Sequence, residues 1–355
     1  LNSAIGSKAA PIKTIMVIAS LGIAIGAMFS SGMMEIARTG IFNPSTFYFN
    51  EIMIIFVAVM ITDILLLDLF NSLGLPTSTT VSIVFELLGA AVALAFIKIF
   101  NDGGGFADLD NYINTAKATE VILGIFLSVL IAFTIGSIVQ YFSRIIFSFQ
   151  YTKSIKATGG IFGGIALTAI VYFILIKGLK GVSFMPVEAL VWIDENKLLL
   201  LGINFVVLTL FSQLCVSVLR WNILKIIILV GTFGLAMAFA GNDLVNFIGV
   251  PIAAWQSFQF WVQSTMAHDG FLMEQLAQPA ITPTLLLILA GLIMVVTLWF
   301  SKKARSVIET EIGLSKQQDG PEKFQPNFLS RLVVRASINL NAAFMLILPK
   351  SLQEK

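Results

Sequence analysis

The chain has 355 residues, 57% of them hydrophobic and 12% charged, with a formal net charge of +2 and a mean hydropathy of +0.92. A soluble domain carries about 25% charged residues, so this composition excludes a soluble catalytic or binding domain and reads as a polytopic membrane protein in the lipid bilayer. Lys and Arg sit in short clusters between apolar runs instead of forming one basic face, so no nucleic-acid partner is expected.

The chain opens on Leu1-Asn2-Ser3-Ala4-Ile5-Gly6, with no initiator Met, charged leader or signal pattern, and ends within or just after an apolar stretch. It reads as a fragment truncated at both ends. Apolar runs near the ~20 residues that a helix needs to cross a bilayer cover residues 14–36, 52–73, 81–100 and 121–147. Others cover 159–176, 198–219, 223–239 and 284–300, with a weaker one at 332–348. The fold class implied is all-α, a polytopic transmembrane helical bundle. Residues 1–150 read as a first transmembrane block whose start is missing, 151–220 as connecting helices and 221–300 as a second block. Residues 301–330 read as a polar cytoplasmic linker and 331–355 as the start of a further transmembrane helix.

Lys and Arg accumulate in short cytoplasmic loops. On that rule Lys8/Lys13, Arg144/Lys153/Lys156, Arg220/Lys225 and Lys302/Lys303/Arg305 are cytoplasmic, and the segments 101–119 and 265–283 lie outside. Lys177 and Lys180 run against this orientation, in a loop that also holds Glu188, Asp194 and Glu195. The membrane expected is the cytoplasmic, inner or plasma, membrane.

Two polar constellations interrupt the apolar runs. Gly74-Leu75-Pro76-Thr77-Ser78-Thr79-Thr80 joins two apolar segments and puts hydroxyls at a helix N-terminus, where free N–H groups and the positive end of the dipole can cradle an oxyanion. An ordinary N-cap would need only one of these hydroxyls. Asn242, Asp243 and Asn246 cluster at helical spacing and supply the oxygens that a hard cation such as sodium prefers; a polar turn at the membrane surface is the alternative. Gly231, Gly234, Gly241, Gly249 and Pro251 punctuate this region and predict a broken or re-entrant helix of the kind secondary transporters use.

Asp63, Asp68 and Glu86 are carboxylates inside expected spans, where an unpaired charge costs about 3 kcal/mol. Glu86, two turns beyond the hydroxyl run, ranks first: a proton or a sodium ion could neutralise it. Asp63 and Asp68 read as lying near the cytoplasmic end of their helix. His268, the single histidine, reads as a solvated loop side chain, and Cys215, the single cysteine, as a small buried hydrophobe. Walker, HExxH, nucleophile-elbow and dinucleotide patterns are all missing from the sequence. Neither an enzyme nor an organic cofactor is expected, and a coupling sodium ion or proton takes the cofactor's place.

At these residues the chain resembles the inorganic phosphate transporter family of the PiT or Pho-4 type, sodium- or proton-coupled symporters. Gly231 to Trp255 is similar to the family's second Asn-Asp signature, and Gly74 to Thr80 to the Ser-Thr-Thr signature of its first repeat. Asn2-Ser3-Ala4-Ile5-Gly6-Ser7 resembles the tail of the first Asn-Asp signature. The resemblance implies inverted repeats, phosphate held by Ser78, Thr79 and Thr80, with Thr77, Asn2 and Ser3 nearby, and cation contacts from Asn242, Asp243 and Asn246. Glu86 joins the cation-binding candidates, and Asp243 and Asn246 are the expected sodium ligands. The function implied is inward symport of inorganic phosphate with sodium. Proton coupling, another oxyanion such as sulfate and, further off, an ion channel are the rivals, and a homodimer is left open. The chain departs from the family at Gly22, where many members carry an acidic residue, and at Phe239 and Ala240.

Overall fold

The computed structural model describes residues 2–28, 41–147, 151–174, 186–277, 283–314 and 328–347. Its helices are α1 (Asn2–Gly6), α2 (Ile12–Met28), α3 (Phe49–Leu73), α4 (Thr79–Asn101), α5 (Leu109–Tyr112), α6 (Thr115–Ile146) and α7 (Tyr151–Tyr172). After these come α8 (Val187–Glu195), α9 (Lys197–Ser217), α10 (Ile223–Gln263), α11 (Thr284–Phe300), α12 (Lys302–Leu314) and α13 (Phe328–Ile347). Six of the described helices, α3, α4, α6, α7, α9 and α10, are long and apolar enough to cross a membrane, and α11 with α12 makes a seventh if the bent pair is one span. The chain forms two compact units, residues 1–312 and 313–355, and α13 lies in the second. The all-α polytopic bundle expected from composition is what the chain adopts.

Within the first unit, α10 is the element on which the others are arranged. Its first half packs against α2 through glycines: a Cβ on Gly22 would stand 2.6 Å from the Phe233 carbonyl oxygen, and one on Gly26 would run into the Met237 carbonyl. Between membrane helices, where hydrocarbon gives no hydrophobic drive to associate, such close backbone approach is what generates dispersion energy. The same device joins α7 to α9, where Gly160, Gly163 and Gly164 meet Gln213, Ser212 and Thr209. The second half of α10 packs against α3 and α4 through ordinary apolar side chains: Ile52, Ile55, Phe56 and Val59 with Ile83, Val84, Leu87, Val250 and Ala253.

One end of the α3–α4 hairpin is closed by loops. The Phe49 N–H donates to the Phe271 carbonyl at 2.9 Å, the Met273 N–H to the Phe47 carbonyl at 3.1 Å, and the Asn43 side chain to the Asn111 carbonyl at 2.9 Å. Lys98 is the ion at the centre of this cap. Its Nζ sits 2.7 Å from Glu51, donates to the Thr46 carbonyl at 3.0 Å and lies 4.7 Å from the centre of the Tyr48 ring. Glu51 also accepts the Tyr48 N–H at 2.8 Å, which caps α3. Segments 101–119 and 265–283, both placed outside by the charge rule, thus meet at one end. At the opposite end Asp68 pairs with Lys303.

Three expectations are corrected. No break occurs at Gly231–Pro251, because α10 runs unbroken from Ile223 to Gln263 with Pro251 inside it. Each glycine costs about 1 kcal/mol of helix propensity, but Gly231 and Gly234 pack against Ile170, and tertiary packing holds a helix that propensity alone would not. The sharp bend falls elsewhere, 70° between α11 and α12, where Ser301 caps α12 by accepting the Ala304 N–H at 3.2 Å. The stretch read as linker therefore opens with a helix, α12. Asp63 is not near a helix end either: it sits mid-α3 and is 3% exposed. Residues 29–36, Lys177, Lys180, the run 317–323 and Leu348 lie outside the described residues.

If glycine contact seats α2 on α10, Gly26→Val should lower the thermal stability of the detergent-purified protein by about 1–3 kcal/mol, the usual cost of overpacking. The exposed Gly89, whose Cβ would meet nothing within 4 Å, should accept Ala without loss. Thermal melts followed by tryptophan fluorescence would measure both.

Candidate functional site

The turn between α3 and α4 is fixed by its own residues. Gly74 ends α3 in the left-handed region, φ 67° and ψ 32°, which costs a glycine nothing. Its N–H and that of Leu75 return to the Asn71 and Phe70 carbonyls at 3.1 and 2.9 Å. Pro76 lacks the N–H to prolong the helix. Ser78 then opens α4 from an extended conformation, its Oγ accepting the Val81 N–H at 3.4 Å. Capping is therefore done by Ser78.

Thr79 and Thr80 turn instead to α10. Thr79 Oγ1 donates to Asp243 Oδ1 at 2.9 Å, and Asn242 Nδ2 donates to Thr80 Oγ1 at 3.0 Å. The residues in each pair stand 164 and 162 positions apart, so the fold brings the two motifs into direct contact. Asp243 also lies at the N-terminal, positive end of α4, where a carboxylate is stabilised by the helix dipole.

The height of this junction matters. The 41 residues of α10 make about 60 Å of helix at 1.5 Å per residue, roughly twice the ~30 Å hydrocarbon layer. Asn242 and Asp243 are at its middle, so the tip of the α3–α4 hairpin docks halfway along α10 rather than at an end. Beside it a cleft of about 670 Å³ is lined by Thr62, Phe70, Thr77, Ser78, Ser82 and Glu86, with apolar neighbours.

Of the other residues proposed from sequence, Glu86 is placed on this cleft, its Oε1 accepting the Ser82 hydroxyl at 2.6 Å. Ser3 is exposed on α1. The side chains of Asn2 and Asn246 lie outside the described residues, although both positions are helical. His268 is exposed and Cys215 fully buried, as read. Among the described residues no three His, Cys, Asp or Glu side chains converge as a metal cluster. Asp63, ranked below Glu86 from the sequence, is the one buried carboxylate among the described residues. The signal was present in the i, i+3/i+4 stripe Ile52, Ile55, Phe56, Val59, Asp63, Leu67, which marks a buried face.

Comparison with curated proteins and with solved structures returned no match. A model of the phosphate transporter family matches residues 1–311, a span that takes in the hydroxyl turn, the Asn-Asp pair and all the helices that bring them together. By that match, and with six helices able to cross a bilayer, the chain is a multi-pass integral membrane protein that belongs to the phosphate transporter family.

Proposed function

We propose that the protein is a secondary transporter that moves inorganic phosphate inward together with sodium, and that the junction of α4 with α10 is where the two ions meet. The observation that carries this reading is the hydrogen-bonded pair Thr79–Asp243 and Asn242–Thr80. It sets an anion-binding helix N-terminus against a cation-binding carboxylate halfway along a spanning helix.

The need for a cation follows from charge. Phosphate carries one to two negative charges at neutral pH, and Asp243 adds another at the same helix end. Two like charges about 5 Å apart repel by about 3 kcal/mol at an effective dielectric of 20. A sodium ion on the Asp243 and Asn242 oxygens cancels that repulsion. It also draws the carboxylate away from Thr79, whose hydroxyl then serves phosphate beside Ser78 and Thr80. Each ion raises the other's affinity by the same factor, which is positive linkage. Asn246, one turn further along α10, completes the proposed cation shell. Ser3 and Asn2, on a helix that packs against α10, are proposed to reach phosphate only when the site closes.

Asp243→Asn keeps the shape and removes the charge. In proteoliposomes with an imposed sodium gradient, the variant should lose at least about tenfold of sodium-driven phosphate uptake, the effect of ~1.4 kcal/mol, with its abundance in the membrane unchanged. Uptake as sodium-dependent as the wild type would remove Asp243 from the cation site.

Ser78→Ala should raise the phosphate KM about five- to tenfold, the loss of roughly one net hydrogen bond to a charged group, and should leave the sodium dependence intact. Counterflow of labelled phosphate against excess sulfate is the companion measurement: equal competition would make the substrate a general tetrahedral oxyanion, and uptake that fails to saturate would point to a channel.

A further inference from the structure

We propose that Asp63 and Glu86 together hold one exchangeable proton, forming a proton-binding site separate from the junction at Asp243. Two unmet requirements lie on the packed helices α3 and α4. Asp63 is 3% exposed, occupies a position whose stripe neighbours are all apolar, and accepts no hydrogen bond from any described residue. Glu86 uses only one oxygen, held by Ser82 at 2.6 Å, while its Oε2 is buried with no partner. The two carboxyls interact electrostatically.

Among the described residues no positive side chain is paired with either carboxyl. The other charged groups on the three helices packed here are Glu51 and Asp68 on α3, Lys98 on α4, and Lys225 and Asp243 on α10. Lys98 is bound to Glu51 twelve residues from Glu86, about 18 Å along the helix. Asp68 is paired with Lys303, Asp243 accepts from Thr79, and Lys225 opens α10 far from the junction. Asp108 and Asp110 lie beyond the Lys98 end of α4. Two interacting carboxyls on packed helices, one of them buried, resist ionising together, and carboxyl pairs of this kind keep a proton.

A proton suits the pair better than a metal ion. A hard metal ion takes a shell of several oxygens, and among the described residues Ser82 is the one hydroxyl that contacts either carboxyl. The cleft on which Glu86 opens gives a route by which water delivers the proton, forming an O–H bond on one carboxyl, and takes it back by breaking that bond. For transport the consequence rests on the phosphate reading above: pH would enter the cycle through this pair, independently of which ion sits at Asp243. The proton itself does not depend on that reading.

The test is infrared difference spectroscopy of the full-length protein in lipid, without phosphate. The wild type should show a protonated-carboxyl C=O band at neutral pH. Asp63→Asn and Glu86→Gln, each close in shape to the native residue, remove the neighbour's charge, so the band should fall by at least half in each and vanish in the double variant. Asp243→Asn should leave it intact, and adding sodium at fixed pH should not remove it. Glu86→Asp should keep a band at a shifted frequency, which separates loss of the proton from loss of the fold. A wild type with no band, a band unchanged in both single variants or surviving in the double, or one abolished by sodium would overturn the proposal. None of these results depends on whether phosphate is the substrate, which uptake assays decide separately.

Discussion

The first turn of α4 is held against the middle of α10 by two side-chain hydrogen bonds, next to the apolar packing of α3 and α4 on the second half of α10. Thr79 to Asp243 and Asn242 to Thr80 join parts of the chain that share no local structure. In water such bonds would each contribute about 1 kcal/mol. In a desolvated interior, where an unmade partner costs several times more, they fix the register between hairpin and long helix. The positive end of α4 adds to this, because Asp243 completes a helix terminus that would otherwise seek a different anion. The carboxylate and a phosphate compete for one place, and that competition is what makes a cation useful to the proposed cycle.

The helices were legible in the sequence because the bilayer sets their length. Residues 52–73 and 81–100 were expected where Phe49–Leu73 and Thr79–Asn101 form, since an apolar run near 20 residues has few other fates. The misreadings have physical causes. Residues 223–239 read as a complete helix because Gly241 and Pro251 look like terminators, whereas α10 continues through both under the packing of its neighbours. The Lys302–Leu314 helix was invisible because its charges break the apolar run, although Ser301 is an evident cap. At the site, the motifs themselves were legible, also through the family resemblance, but their contact was not, because nothing local links positions 164 residues apart. Asp63 could have been found without it, from its place in the stripe of Val59 and Leu67.

The two halves of α10 are held by different physics. Against α2 the backbones touch through Gly22 and Gly26, a contact that tolerates little sliding because carbonyl groups stand where side chains would be. Against α3 and α4 the contact is made by branched side chains and by the polar pair at the tip, which can part without breaking backbone packing. The hairpin is also tied to the rest at its far end, where Lys98 and Glu51 sit among aromatic rings. A tip held by exchangeable polar contacts and a base held by a half-buried ion pair is the division of labour that the proposed transport cycle would ask of a moving hairpin.

The charge balance around the tip completes the argument. Asp63, Glu86 and Asp243 surround the first half of α4, and α3, α4 and α10 carry no Lys or Arg between Glu51 and Lys98 or between Lys225 and Gln263. A protein built to attract an anion by its own side chains would put arginine there, as a bidentate partner for phosphate. On the proposed function this chain does the reverse, and would offer phosphate hydroxyls and a helix end with carboxyls nearby. An anion can enter such a place only after positive charge has arrived, as a metal ion, a proton or both. On the proposed function, the lack of Lys or Arg on these stretches of α3, α4 and α10 would convert binding into coupling: a permanent arginine would hold phosphate with no gradient to drive it, whereas a site that borrows its positive charge would bind phosphate only as far as the cation gradient fills it.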